Sequence, residues 1–200
     1  MARSTGRRRA AAGATGLRVG LGADVHPLAD GRRLVLGGVE IPHPRGLAGH
    51  SDADALAHAV CDALLGALGL PDMGTRFPDV DPRHRDRPSL EFVREVAREA
   101  RGRGFAIHNV DTVLFAEEPC LRPHIEPMRR ALAGALGVPP GAVGVKAKRS
   151  EGLGALGRAE GVLAQAVVLI GAAPAGRAAG APRKPRPGRA RARSAARRSR

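Results

Sequence analysis

Two short patterns carry side chains suited to phosphate or metal chemistry. The first is Asp24-Val25-His26, at the end of an apolar run. The second is GHSDADALAHAVCD, residues 49–62, which sets His50, Asp54, His58 and Asp62 at steps of four among alanines. Residues two apart in a strand point to the same side, so Asp24 and His26 can converge on one point. Adding one helical histidine gives an Asp, His, His set. That set suits a catalytic zinc ion with its fourth position open to substrate. The same spacing also suits a plain hydrogen-bonded pair, and spacing alone does not choose between them.

Two further stretches have the composition of binding loops. FPDVDP, residues 77–82, holds two acids in a proline-stiffened loop. They either bond their own backbone in a turn or accept the hydroxyls of a sugar or polyol. GLGALG, residues 152–157, spells G-x-G-x-x-G. A dinucleotide fold would need a preceding strand, a helix opening on the glycines and an acid about twenty residues on. Here the glycines run into a final strand, so that assignment is rejected. Backbone amides of this loop, beside Glu151 and Arg158, remain suited to a phosphate or a metal.

These side chains need a frame. LRVGLGADVH (17–26) predicts an opening strand, and RRLVLGGVEI (32–41) a second with a Gly-Gly bulge or turn. Pro42 and Pro44 then mark a loop. Ser51 followed by Asp54 fits a helix start, and the helix runs to about Leu68, closed by Gly69 and Pro71. At about 100° per residue, Leu56, Val60, Ala63, Leu64 and Ala67 face the core, while Asp54, His58 and Asp62 cluster opposite. Residues 75–88 read as a long polar loop, 89–102 as an amphipathic helix capped by Ser89, 105–117 as a strand and 124–137 as a third helix. Residues 142–149 and 161–170 complete the strands. Strands and helices alternate, without internal repeat, in an α+β or α/β chain.

Composition bounds the rest. Thirty-three basic residues against 19 acids give a formal charge of +14. The excess lies wholly in the ends: residues 1–17 and 171–200 carry no acid, and residues 18–170 are formally neutral. The last thirty residues hold no apolar side chain larger than Ala or Pro, so they cannot repay the entropy of ordering and are expected to be disordered. A basic tail of this kind suits electrostatic contact with nucleic acid or anionic lipid. Three lysines against thirty arginines point instead to a coding bias, with the tails as solvated extensions. Two cysteines exclude a disulfide framework or a Cys-rich zinc site. No apolar run is long enough to span a membrane. The N-terminal arginines lack a hydrophobic region behind them, so no export signal is assigned; an organelle transit peptide is compatible with the segment, and the cytoplasm is the default.

Taken in order, GADVHPL, LVLGGVEIP, GLAGHSDADALAHAVCDALLGALGLPDMGTRFPDVDP, NVDTVLFAEEPCLRPHIEPMR and VGVKAKRSEGLGALGRAEGVLAQAVVLI resemble the 2-C-methyl-D-erythritol 2,4-cyclodiphosphate synthase family. The resemblance covers residues 18–170 and neither tail. It implies an α+β fold with a mixed sheet packed against helices. It also implies a homotrimer with an active site at each subunit interface. The implied substrate is 4-diphosphocytidyl-2-C-methyl-D-erythritol 2-phosphate, whose 2-phosphate displaces CMP to close a cyclic diphosphate.

By motif match, Asp24, His26 and His58 would bind Zn2+, and Glu151 would help hold a Mg2+ or Mn2+ on the diphosphate. His50 and Ser51 would contact phosphate. Asp72, Met73, Gly74, Phe77, Pro78, Asp79 and Asp81 would line the methylerythritol pocket. Ala116, Glu118, Pro119, Cys120 and Arg122, with Lys148 and Ser150, would come from a neighbouring chain to hold cytidine and its phosphates. Arg158 would reach the phosphates as well.

The chain departs from the family at three places. Lys148-Arg149-Ser150-Glu151 stands where Thr-Thr-Thr/Ser-Glu is usual, which puts Arg149, with His50, at a catalytic position. Ala155 replaces an aromatic, and Cys120 a basic residue. Two other functions compete: a zinc-dependent diphosphate hydrolase on the same scaffold, and a nucleic-acid-associated protein defined by its tails.

Overall fold

The computed structural model describes residues 16–173. The extensions expected to be disordered, residues 1–17 and 171–200, lie outside the described residues except for their inner ends. Among the described residues no helix is long and apolar enough to cross a membrane.

The chain begins with β1 (Arg18–Asp30), longer than the strand expected at 17–26. The stretch 32–41 is not one strand but a hairpin, β2 (Leu34–Leu36) and β3 (Val39–Ile41). Its turn is Gly37-Gly38, with φ of 57° and 74°. With both central residues at positive φ the turn is left-handed throughout, a conformation that only glycine adopts freely. β4 (Arg45–Leu47) follows, then α1 (Ala55–Leu68), one-turn α2 (Met73–Arg76), α3 (Ser89–Gly102), β5 (Phe105–Phe115), α4 (Ile125–Leu136), β6 (Val143–Lys148), one-turn α5 (Gly154–Gly157) and β7 (Gly161–Ala172). The loop expected at 75–88 contains the end of α2 and a 3-10 turn at Pro82–His84.

Five strands make one mixed sheet in the order β4-β1-β7-β5-β6, antiparallel except for β5 and β6. Helices α1, α3 and α4 cover one face, and Phe92, Leu56, Leu64, Leu114, Met128 and Ile170 are among the side chains fully enclosed between the layers. The fold is therefore α+β with a mixed sheet under helices. The other sheet face is bare in the single chain: Val19, Leu21 and Val25 of β1 are 67, 68 and 60 % exposed.

The alanines of the opening motif have a packing reason. On the helix side of β1 stand Gly20 and Gly22. A Cβ on them would lie 1.9 Å from the Ala63 carbonyl oxygen and 2.1 Å from that of Ala59. Glycine on the strand and alanine on the helix let the two backbones touch. α1 is consequently buried nearly all round rather than along one stripe.

Two expected helix starts are corrected. Asp54, not Ser51, caps α1, and Asp54 is fully buried rather than on the polar face with His58 and Asp62. Its Oδ1 accepts from the amides of Gly37, Leu56 and Ala57, and its Oδ2 from Gly38. One carboxylate thus stitches the hairpin turn to the helix. Losing it would orphan four amides at about 1–3 kcal/mol for each one left buried. Ser89 does not cap α3: it is the first helical residue, and Pro88 before it offers no side chain to the free amides.

Candidate active site

Beyond Gly20 and Gly22, the same side of β1 carries Asp24 and His26, and α1 carries His58. The close strand–helix contact brings them together. Asp24 Oδ2 lies 2.9 Å from His26 Nε2 and 2.9 Å from His58 Nδ1, and the two ring nitrogens are 3.2 Å apart. All three side chains are partly buried. The triangle fits a divalent cation. Zinc–nitrogen bonds of about 2.0–2.1 Å set tetrahedral ligand edges of about 3.3 Å. The outer nitrogens are held too: His26 Nδ1 donates to the Ala48 carbonyl at 2.7 Å, and His58 Nε2 lies 2.8 Å from Ser89 Oγ.

The charges are matched to that use. Burial pushes the Asp24 carboxyl up, but hydrogen bonds and charge from His26 and His58 outweigh it and hold the group well below the usual carboxylate range. Burial pulls the His26 ring down, yet Asp24, the Ala48 carbonyl and Asp79 together lift it above its ordinary value. An ionised carboxylate beside two imidazoles favours a cation.

The triangle opens on a cavity of about 200 Å3, whose wall includes His50, Ser51, Asp62, Met73, Gly74, Phe77, Asp79 and His84. His50 Nε2 and His84 Nδ1 are buried without a hydrogen-bond partner. Buried polar atoms without partners are uncommon, and at the wall of a cavity they suit the oxygens of a bound molecule.

A second cavity, of about 490 Å3, is walled by Ala116, Glu117, Pro119, Cys120, Arg122, Lys148 and Arg149, among others. It shares no wall residue with the first. Arg149 does not point freely into it: Nε and Nη2 donate to Glu117 Oε1 at 3.1 and 2.7 Å. The other Glu117 oxygen accepts from the Ser150 amide at 3.0 Å. Burial pushes the Glu117 carboxyl up, but hydrogen bonds from Arg149 and the Ser150 and Gly152 amides, with the charge of Arg149, together outweigh it and hold the group below its ordinary value.

A profile of the YgbB family matches residues 17–171. The chain belongs to the YgbB family. A 2-C-methyl-D-erythritol 2,4-cyclodiphosphate synthase of Rubrobacter xylanophilus is 58 % identical over 158 residues, 78 % of this chain and 95 % of that protein. The synthase of Salinibacter ruber is 53 % identical over 154 residues, 77 % of this chain and 98 % of that protein. Among solved structures, a 2C-methyl-D-erythritol-2,4-cyclodiphosphate synthase in a CDP-bound form superposes with a TM-score of 0.71 at 42 % identity. That match covers 76 % of this chain and 99 % of the other.

Against the YgbB expectations, the structure gathers Asp24, His26, His50, Ser51, His58, Met73, Gly74, Phe77 and Asp79 at the first cavity. Asp72 and Asp81 are not on its wall: Asp72 caps α2 through the Thr75 amide, and Asp81 pairs with Arg83 at 2.6 Å. Pro78 is not on its wall. Ala116, Pro119, Cys120, Arg122, Lys148 and Arg149 gather at the second cavity. Glu118 turns away to Arg45 at 2.9 Å. Ser150, Glu151, Ala155 and Arg158 line neither cavity within one chain, and Arg158 is paired with Glu160 at 2.6 Å. Glu151 sits in a tight turn at φ 51°, followed by Gly152 at 76°.

Wall residues that the sequence alone did not assign include Asp62, His84 and Phe92. Asp62 had a signal, one helical turn after His58; its Oδ1 holds the Met73 amide at 2.7 Å. The others had none.

Proposed function

We propose that the chain converts 4-diphosphocytidyl-2-C-methyl-D-erythritol 2-phosphate to 2-C-methyl-D-erythritol 2,4-cyclodiphosphate and CMP. One observation carries the proposal: an aspartate and two imidazoles packed into a 3 Å triangle at the wall of a cavity. Asp24, His26 and His58 would hold a divalent cation such as Zn2+, which when bound would withdraw charge from the reacting phosphate. An oxygen of the substrate's 2-phosphate forms the new bond to the β-phosphorus. The bond from that phosphorus to the bridging oxygen breaks, and its electrons leave with CMP. A phosphate oxygen is already an anion, so the protein needs no general base. Its work is positioning and charge neutralisation.

The chain's own groups divide that work. His50 offers its unpartnered Nε2 and Ser51 its position on the wall to the phosphate oxygens. The walls around Met73, Gly74, Phe77 and Asp79 take the polyol. The second cavity takes cytidine, with Lys148 and Arg122 as its cations. Glu151, which lines neither cavity of a single chain, would help hold a Mg2+ or Mn2+ on the diphosphate.

The two cavities of one chain share no wall, while the substrate has to reach both groups of residues. The bare face of β1 supplies the reason to bring chains together. We assign a homotrimer in which each chain lends its nucleotide cavity to a neighbour's metal site. Sedimentation should give three times the chain mass, and Leu21→Asp should reduce it. The charged nucleotide substrate and two unpaired thiols, Cys61 and Cys120, suit the cytoplasm.

The test is the product. Metal-loaded protein incubated with the diphosphocytidyl substrate should give cyclic diphosphate and CMP in equal amounts by phosphorus NMR. A linear phosphate product would replace this proposal with a hydrolase.

A further inference from the structure

The two imidazoles of the triangle must present a lone pair, and they secure it differently. His26 faces the cation position with Nε2, so its proton belongs on Nδ1. A backbone carbonyl, Ala48, accepts that proton at 2.7 Å. A carbonyl can only accept, so this tautomer is fixed without help from another side chain.

His58 faces the cation position with Nδ1, so its proton belongs on Nε2. There it meets hydroxyls, Ser89 Oγ at 2.8 Å and Ser51 Oγ at 3.2 Å. A hydroxyl both donates and accepts, so it does not by itself choose the tautomer. Asp52 supplies the choice. Its Oδ1 takes the Ser89 hydroxyl proton, and its Oδ2 accepts from the Ser89 amide at 3.0 Å. With its proton committed to a carboxylate, Ser89 Oγ has only lone pairs to turn toward His58. Ser89 is fully buried, so solvent does not compete.

The same bond explains why α3 does without a capping side chain of its own. Asp52, 37 residues earlier, occupies the free amide of the first helical residue. We propose that Asp52 and Ser89 are positioning residues. The pair anchors α3 to the loop before α1 and, through one committed hydroxyl proton, holds His58 in the tautomer that leaves Nδ1 for the cation. This rests on the metal site proposed above.

The test measures zinc affinity by competition with a chromogenic chelator, using the full chain and zinc alone. Ser89→Ala should weaken zinc by about 10–100-fold, the usual cost of losing a partner behind a metal ligand. Asp52→Ala should weaken it comparably although the serine remains, because the hydroxyl can then donate to the ring. Asp52→Asn, which keeps an acceptor oxygen, should fall between Asp52→Ala and the parent. Long-range nitrogen–proton NMR of metal-free protein carrying Asp24→Ala, which removes the carboxylate that competes for a proton on Nδ1, should show the His58 proton on Nε2, and redistributed when Asp52→Ala is added. Should Ser89→Ala fail to fold, Asp52→Ala decides. Parent-like zinc affinity and an unchanged tautomer in a folded Asp52→Ala protein would overturn the proposal while leaving the metal site intact. A parent protein that takes up no zinc would remove both.

Discussion

The two cavities are built by different means. The first cavity hangs on backbone contact. Gly20 and Gly22 touch the carbonyls of Ala63 and Ala59, and from that contact Asp24, His26 and His58 inherit their separations. Its supporting groups, Asp54 and Ser89, are fully buried. The second cavity is framed by long side chains at a surface. Its central pair, Arg149 with Glu117, has an arginine side chain that is 66 % exposed. The difference predicts where substitution should be tolerated. All three departures from the family pattern, Cys120, Arg149 and Ala155, fall on the second side or beyond it, and none on the first.

The sharpest way to break this contrast is His58→Ala. It should abolish zinc uptake and lower turnover by at least about 10³-fold, with circular dichroism unchanged. A metal-free variant with full activity would remove the metal side of the comparison altogether.

Gly22→Ala should come next. Its Cβ has no room against the Ala59 carbonyl, so β1 and α1 must part. Unfolding free energy should fall by about 1–3 kcal/mol, and zinc affinity should fall with it although no ligand is touched. Parent-like zinc affinity would show that the ligands do not depend on the strand–helix contact.

A smaller, graded effect concerns pH. The metal-free His26 ring holds its proton to a higher pH than an ordinary imidazole, whose value is 6.5. Zinc must displace that proton. The His26 proton alone should therefore leave apparent affinity unaffected at alkaline pH and lower it by up to about tenfold per pH unit once the pH drops below that raised value. Asp24, held low, adds no proton over that range. Affinity independent of pH from 5 to 8 would contradict the ligand assignment.

Arg149→Thr should do least. The exposed ion pair with Glu117 contributes no more than about 1 kcal/mol to stability, and turnover should change by only a few-fold. Complete loss of turnover would mark Arg149 as indispensable and the second cavity as no more tolerant than the first.

Much of the metal side was legible in the letters because it follows short periods. Asp24 and His26 obey the strand period of two, and His58 sits on a helix whose ends glycine and proline announce. Asp54 misled because it continues a step-of-four stripe, but the residue before a helix does not share the helix's faces. Ser89 misled for a longer-range reason: the carboxylate serving its amide is 37 residues away, and nothing local marks Asp52 as the partner. The hairpin at Gly37-Gly38 was visible as punctuation, but not as two separate strands. The exposed side of β1 was hidden as well. Alternating valine and leucine look the same to a pattern whether the facing surface is the chain's own helix or nothing at all.

β1 therefore has no idle side. Its even-numbered residues from Gly20 to His26 face the helix and the proposed ion pocket, and Val19, Leu21 and Val25 on the other side form the exposed face proposed above for a neighbouring chain. Pressure on one side of so thin a layer is felt on the other, so assembly and ion affinity should be thermodynamically linked. Diluting the protein until it dissociates should release metal as well as subunits.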